Sequence, residues 1–201
     1  MKITTTNQLR ALYDQPNARA KGKQLGSLDK HAVNFIEQSP FLVISTVHAN
    51  MEMDVSPRGG KPGFVKILDS QTLIIPDAKG NNRIDSLTNI IETGRVGTLF
   101  LIPGIDETMR ANGSASISTD PEYLNMFPDE QNPPKTCIVI SIEEVFLHCA
   151  KAFMRSKLWS PTSQIDRSSL PTMGQMLKDQ LGTNVEAESQ DEMVKRYQSD
   201  L

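Results

Sequence analysis

The sequence predicts an α+β fold that is mainly β, an antiparallel barrel with helices at a few connections. Three observations point there. Six or seven short apolar or alternating segments follow one another as meandering strands. Helices do not alternate regularly with them, as a doubly wound sheet would require. Neither GxGxxG nor GxxxxGK[ST] occurs, so the usual dinucleotide and nucleoside-triphosphate loops are absent.

The elements follow in order. Residues 1–26 are polar, with a short helix expected around Leu9–Tyr13. In "SLDKHAVNFIEQSP", Ser27 or Asp29 caps a helix whose apolar face is Leu28, Ala32, Val33 and Ile36, and Pro40 ends it. "FLVISTV" is a buried β-branched strand. "MEMDVS" alternates, with Met51, Met53 and Val55 facing one way, and His48–Asn50 turns the hairpin between the two. Ser56, Pro57, Arg58, Gly59 and Gly60 then read as a tight turn. "GFVKILD" and "TLIIP" are two more strands. Past Gly80, Asn81 or Asn82 caps a helix with Ile84, Leu87, Ile90 and Ile91 at helical spacing, closed by Gly94. "RVGTLFLIP" and "ETMRANGSASIS" pair around a turn at Pro103–Asp106. "DPEYLNMF" is a short helix and "PDEQNPP" a loop. "TCIVISIEEVFLHCA" is a long strand, bent near Glu143. Two helices, 171–181 and 184–198, close the chain, the first with Met173, Met176, Leu177 and Leu181 on one face.

The bulk numbers bound the function. At 201 residues the chain suits one domain with an appended helical piece. Its net charge of -3 argues against a broad electrostatic nucleic-acid surface, so an anion must be met by a local cluster. Cys137 and Cys149 show no metal spacing and read as buried thiols in a reducing compartment. The start lacks the apolar run of about 7 to 15 residues that export needs. No stretch approaches the ~20 apolar residues of a membrane span. The expectation is a cytoplasmic protein with no nucleic-acid or membrane partner. His31, His48 and His148 are scattered, and no metal site is expected.

One constellation carries chemistry. "KGNNR" stands at a helix start, where unpaired N–H groups and a partial positive charge attract anions. Lys79 and Arg83 add full charges, and Asn81 and Asn82 add amide donors. If the Ser56–Arg58 turn lies beside it, then Ser56, Arg58, Asn82 and Arg83 converge on one dianion. Spacing alone leaves the alternative open: an ordinary capped helix and a solvated loop.

The ordered motifs "SPRGG", "PGFV", "GNNR" and "HCAKA" resemble the pyridoxamine 5'-phosphate oxidase-related flavoproteins, in a subgroup that shares them. The resemblance covers residues 27–160. It divides the chain into an extension (1–26), a split β-barrel (27–160) and a helical tail (161–201) packed on the barrel or across a dimer. It implies a homodimer with FMN at the interface. Asn82 and Arg83 match the run that holds the phosphate. Ser56 and Arg58 match phosphate or ribityl contacts. Phe64, Val65 and Lys66 match the strand bordering the isoalloxazine ring. Thr108 and Arg110 match a strand reaching the flavin from the second subunit. Lys151, Arg155, Ser156 and Trp159 match residues offered to the flavin edge or substrate. The tail after Trp159 lacks the tryptophan, arginine-proline and basic signature that grips pyridoxal phosphate, so vitamin B6 oxidation is not expected. The resemblance implies an FMN-dependent oxidoreductase on a small unknown substrate, or alternatively a non-enzymatic flavin-binding or stress-response protein. No catalytic residue is named, because the redox chemistry belongs to the cofactor. Haem binding also occurs on this barrel. His148 is the one candidate ligand, and it reads instead as packed at a strand end against a backbone carbonyl.

Overall fold

The computed structural model describes residues 1–128 and 131–200. Residues 129 and 130, in the expected 128–134 loop, lie outside the described residues. Among the described residues eight strands form one antiparallel sheet: β1 (Gln24–Leu25), β2 (Phe41–Val47), β3 (Met53–Gly59), β4 (Lys66–Asp69), β5 (Thr72–Pro76), β6 (Arg95–Leu101), β7 (Thr108–Ser118) and β8 (Cys137–His148). Their order is β3-β2-β6-β7-β8-β5-β4, and the sheet curls without closing. The split lies along β8. One half of it pairs with β5, from Pro76↔Cys137 to Thr72↔Ser141, and the other half with the two-residue β1. This is a split-barrel arrangement.

Helices plug and flank the sheet: α1 (Thr6–Arg10), α2 (Ala18–Gly22), α3 (Lys30–Gln38), α4 (Asp85–Thr93), α5 (Pro121–Leu124), α6 (Lys151–Ser156), α7 (Met173–Leu181) and α8 (Gln190–Gln198). Asp29 caps α3 by accepting from the His31 and Ala32 amides, and the helix buries Ala32 and Ile36. These meet Leu42, Ile44, Leu73, Ile75, Phe100, Ile138 and Ile140 in one apolar core. Neither α7 nor α8 has a buried residue. Their end reaches the barrel through polar contacts, an Asp200–Lys79 ion pair and an Asn132 side-chain donor to the Ser199 carbonyl. No helix among the described residues is long and apolar enough to cross a membrane.

Three expectations need correction. The Ser56–Gly59 segment is strand rather than turn: β3 pairs with β2 from Val47↔Met53 to Phe41↔Gly59. Pro57 fits because β3 is an edge strand, with no outer neighbour to need the missing N–H. The turn comes later, and it needs the second glycine, because a Cβ on Gly60 would meet Phe64 at 2.7 Å. The alternation of β3 is as expected, with Met53 and Val55, each 65% exposed, on one face and Asp54, Ser56 and Arg58 turned inward on the other. Phe64 and Val65 precede the strand that the sequence assigns them to and are buried in the core, while Lys66 begins β4. Finally, Cys149 is exposed, and only Cys137 is buried.

The bend near Glu143 is present as a β-bulge. Asn112 faces Glu144 and Gly113 faces Ile142, so Glu143 is the extra residue.

Candidate functional site

The inward polar face of β3 borders a cavity of about 410 Å³. The 76–84 loop and the start of α4 form its other walls. Residues i, i+2 and i+4 of a strand share a face, so Asp54, Ser56 and Arg58 all point toward it. Arg58 Nη1 donates to Ser56 Oγ at 2.5 Å and to the Pro57 carbonyl at 2.8 Å, and Nη2 donates to Ser86 Oγ at 3.3 Å. Ser86, buried in the first turn of α4, donates to Asp54 Oδ2 at 2.5 Å. These bonds hold the guanidinium at the cavity wall.

The opposite wall is irregular. Asn82 (φ 59°) and Ile84 (φ 53°) are both left-handed. Asparagine tolerates that region, but a β-branched isoleucine is strained in it. Asn81 accepts from the Arg83 amide, which makes a tight local turn. The helix therefore starts at Asp85, and neither Asn81 nor Asn82 caps it, contrary to the sequence reading. Ile84 stands at the cap position and offers no side-chain bond to the first amides. An uncapped helix start beside a cavity presents N–H groups to whatever enters.

Three cations and three carboxylates line the space: Arg58, Lys79 and Arg83 against Asp54, Asp77 and Asp85. Arg83 leans on Asp85 through Nε and Nη2, both at 2.8 Å, and Lys79 meets Asp200 of the tail at 2.5 Å. Both pairs are exposed, so an incoming anion breaks them at little cost. Burial pushes the Asp77 carboxyl up, and Arg58 and Lys135 partly offset this.

The structure thus brings together Ser56, Arg58, Phe64, Asn81, Asn82 and Arg83. Asp54 and Ser86 escaped the sequence reading. Carrying the strand through Pro57 would have put Asp54 on the face of Ser56 and Arg58. Val65 and Lys66 lie off the cavity, where Lys66 Nζ donates to the Gly63 carbonyl at 3.0 Å. Thr108, Arg110, Lys151, Arg155, Ser156 and Trp159 do not line it either. Thr108 is buried on β7. Trp159 donates to the Ile105 carbonyl and stacks on Phe153 at 5.6 Å, and Ser156 donates to the Phe153 carbonyl. Lys151 is exposed at the start of α6.

Arg110 pairs with Glu144 at 2.5 Å and sits 4.8 Å from the Phe146 ring centroid. Its Nε is buried and has no partner among the described residues. Lys23 lies 4.2 Å from the same ring, and His148 packs edge-on at 5.0 Å. So His148 rests on an aromatic ring, not on a carbonyl. Burial first, then Arg110 and Lys23, hold its imidazole below the ordinary 6.5, with Glu144 opposing. The folded form therefore binds this proton more weakly than the unfolded form. The resulting stability is full above about pH 6.5 and is lost as pH falls through the depressed folded value. His148→Gln is expected to shrink the loss of stability between about pH 7.5 and about pH 5.5. Urea unfolding of both proteins at the two pH values checks it. An equal loss in the variant would assign the acid sensitivity elsewhere.

No curated protein matches the chain. Among solved structures, HupZ of Group A Streptococcus, crystallised with V5 and polyhistidine tags, is 18% identical with a TM-score of 0.51. That match covers 60% of this chain and 93% of the other. General Stress Protein 26 from Bacillus anthracis is 18% identical over 57% of this chain and 88% of its own, with a TM-score of 0.43. The FAD binding protein of Mycobacterium smegmatis is 10% identical over 62% and 97%, with a TM-score of 0.43. The family model for pyridoxamine 5'-phosphate oxidase matches residues 28–149, more than half of the sequence, and the chain belongs to that family.

Proposed function

We propose that the chain is an FMN-binding flavoprotein that works as a homodimer and acts as an oxidoreductase on a small substrate. One observation carries the reading: Arg58, Lys79 and Arg83, two asparagine amides and an uncapped helix start all face one cavity. That donor set fits a phosphate group, which takes charge-assisted hydrogen bonds from arginine and backbone amides alike. Ser56, Arg58, Asn81, Asn82 and Arg83 would hold the phosphate, and Phe64 supplies an apolar wall. FMN, when bound, supplies the hydride-transfer chemistry.

In this reading the ring's surroundings come from a second copy. Thr108, Arg110, Lys151, Ser156 and Trp159 are the residues we assign to that role. The orphaned Arg110 Nε supports it, since a buried guanidinium N–H without a partner is costly and a contact from outside the chain would satisfy it. Both cysteines are free thiols, which suits a cytoplasmic location. Vitamin B6 oxidation is no part of the proposal, because the tail lacks the matching signature.

The test is a visible absorption spectrum of the purified protein before and after FMN is added. A shifted, protein-bound flavin spectrum that bleaches with NADH or NADPH is the expected result. A bound flavin inert to both would favour flavin storage. No bound flavin would end the proposal.

A further inference from the structure

We infer that Asp54 is a positioning residue which, through Ser86, sets the guanidinium of Arg58 for its ligand. The inference rests on the phosphate reading above for the identity of that ligand. A carboxylate can only accept, so the single Ser86 hydroxyl proton goes to Asp54. The lone pairs of Ser86 are then left for Arg58 Nη2. Had that proton pointed at Arg58, two donors would face each other and the contact would fail. Asp54 thus fixes the direction of the hydroxyl, and the hydroxyl fixes the arginine.

The count of hydrogens shows what this leaves. Arginine has five N–H hydrogens. Both on Nη1 go to Ser56 and Pro57, and one on Nη2 goes to Ser86. The Nε hydrogen and the second Nη2 hydrogen remain for an anion. Geometry supports the chain from both ends, because Asp54 and Arg58 share one strand face and Ser86 is buried in the first turn of α4. Asp54 has no cationic partner of its own among the described residues, so its carboxylate serves this hydroxyl.

Charge alone predicts the opposite behaviour, and that makes the inference testable. Removing a carboxylate from an anion cavity tightens anion binding on Coulombic grounds. A positioning role predicts weaker binding. Asp54→Asn is expected to weaken FMN binding about tenfold in the wild-type background and less than about twofold in an Arg58→Ala background. A second readout needs no flavin. Side-chain nitrogen NMR, assigned with Arg58→Lys, is expected to show hindered rotation of the Arg58 guanidinium in the wild type and its release in Asp54→Asn. Equal loss of affinity in both backgrounds, or tighter binding in Asp54→Asn, would overturn the inference. So would a guanidinium that rotates equally in both proteins. If the wild type binds no FMN, the phosphate reading falls, and the rotation measurement alone decides the role of Asp54.

Discussion

Arg58→Ala is expected to weaken FMN binding by about 100-fold while leaving the fold intact. Two hydrogens of this guanidinium are free for a ligand, and bonds to charged groups are each worth about 1.5 to 3 kcal/mol. Losing them costs ~3 kcal/mol, or two powers of ten in affinity. The fold should survive, because Arg58 is only half-buried and its backbone pairing to Leu42 stays. Arg58→Lys should recover part of the loss and not all of it, since an ammonium lacks the planar fork. Titration of flavin fluorescence measures the affinities, and circular dichroism checks the fold. Undiminished affinity in Arg58→Ala, with wild-type binding confirmed, would remove Arg58 from the site.

Gly113→Ala is expected to destabilise the protein by ~3 kcal/mol or more. A Cβ there would stand 2.0 Å from the Ser141 carbonyl oxygen and 2.9 Å from its carbon. Those atoms are backbone of the neighbouring strand, so no side chain can swing aside. The contact sits where β8 takes up its extra residue, and β7 and β8 run side by side along their whole length. A shift at Gly113 therefore spreads through the middle of the sheet. For a chain of this size the melting temperature should fall by ~6–12 °C. Gly26→Ala is the control, with nothing within 4 Å of its Cβ, and should change stability by less than about 0.5 kcal/mol. If the two variants melt together, β7 and β8 give way more easily than their backbone spacing implies.

Local sequence revealed what local physics determines. The α3 cap at Asp29 and the apolar run of β2 depend on neighbours close in the chain. The gathering of Ser56, Arg58, Asn82 and Arg83 was legible because a glycine-rich, basic helix start is itself an anion signal. Other features depend on topology. Pro57 and Gly59 looked like a turn, yet an edge strand accommodates both, and edge status is a property of the whole sheet. The inward face of β3 is polar because it borders a cavity, and alternation alone told that Met53 and Val55 share a face without telling which face looks inward. The left-handed Asn82 and Ile84 delayed the start of α4 in a way that no capping preference shows. Asp54 and Ser86 stayed hidden because they meet across 32 residues of chain.

Pro57 has a consequence for how molecules of this protein meet in a crowded cell. The outer edge of β3 carries open backbone groups flanked by exposed Met53 and Val55. Such an edge invites a foreign strand to add on, which is how sheets polymerise into fibrils. A proline offers no donor, so an added ladder loses its footing at position 57 and is confined to Met53–Ser56. The residue that stiffens the strand beneath Arg58 therefore also guards the open end of the sheet against aggregation.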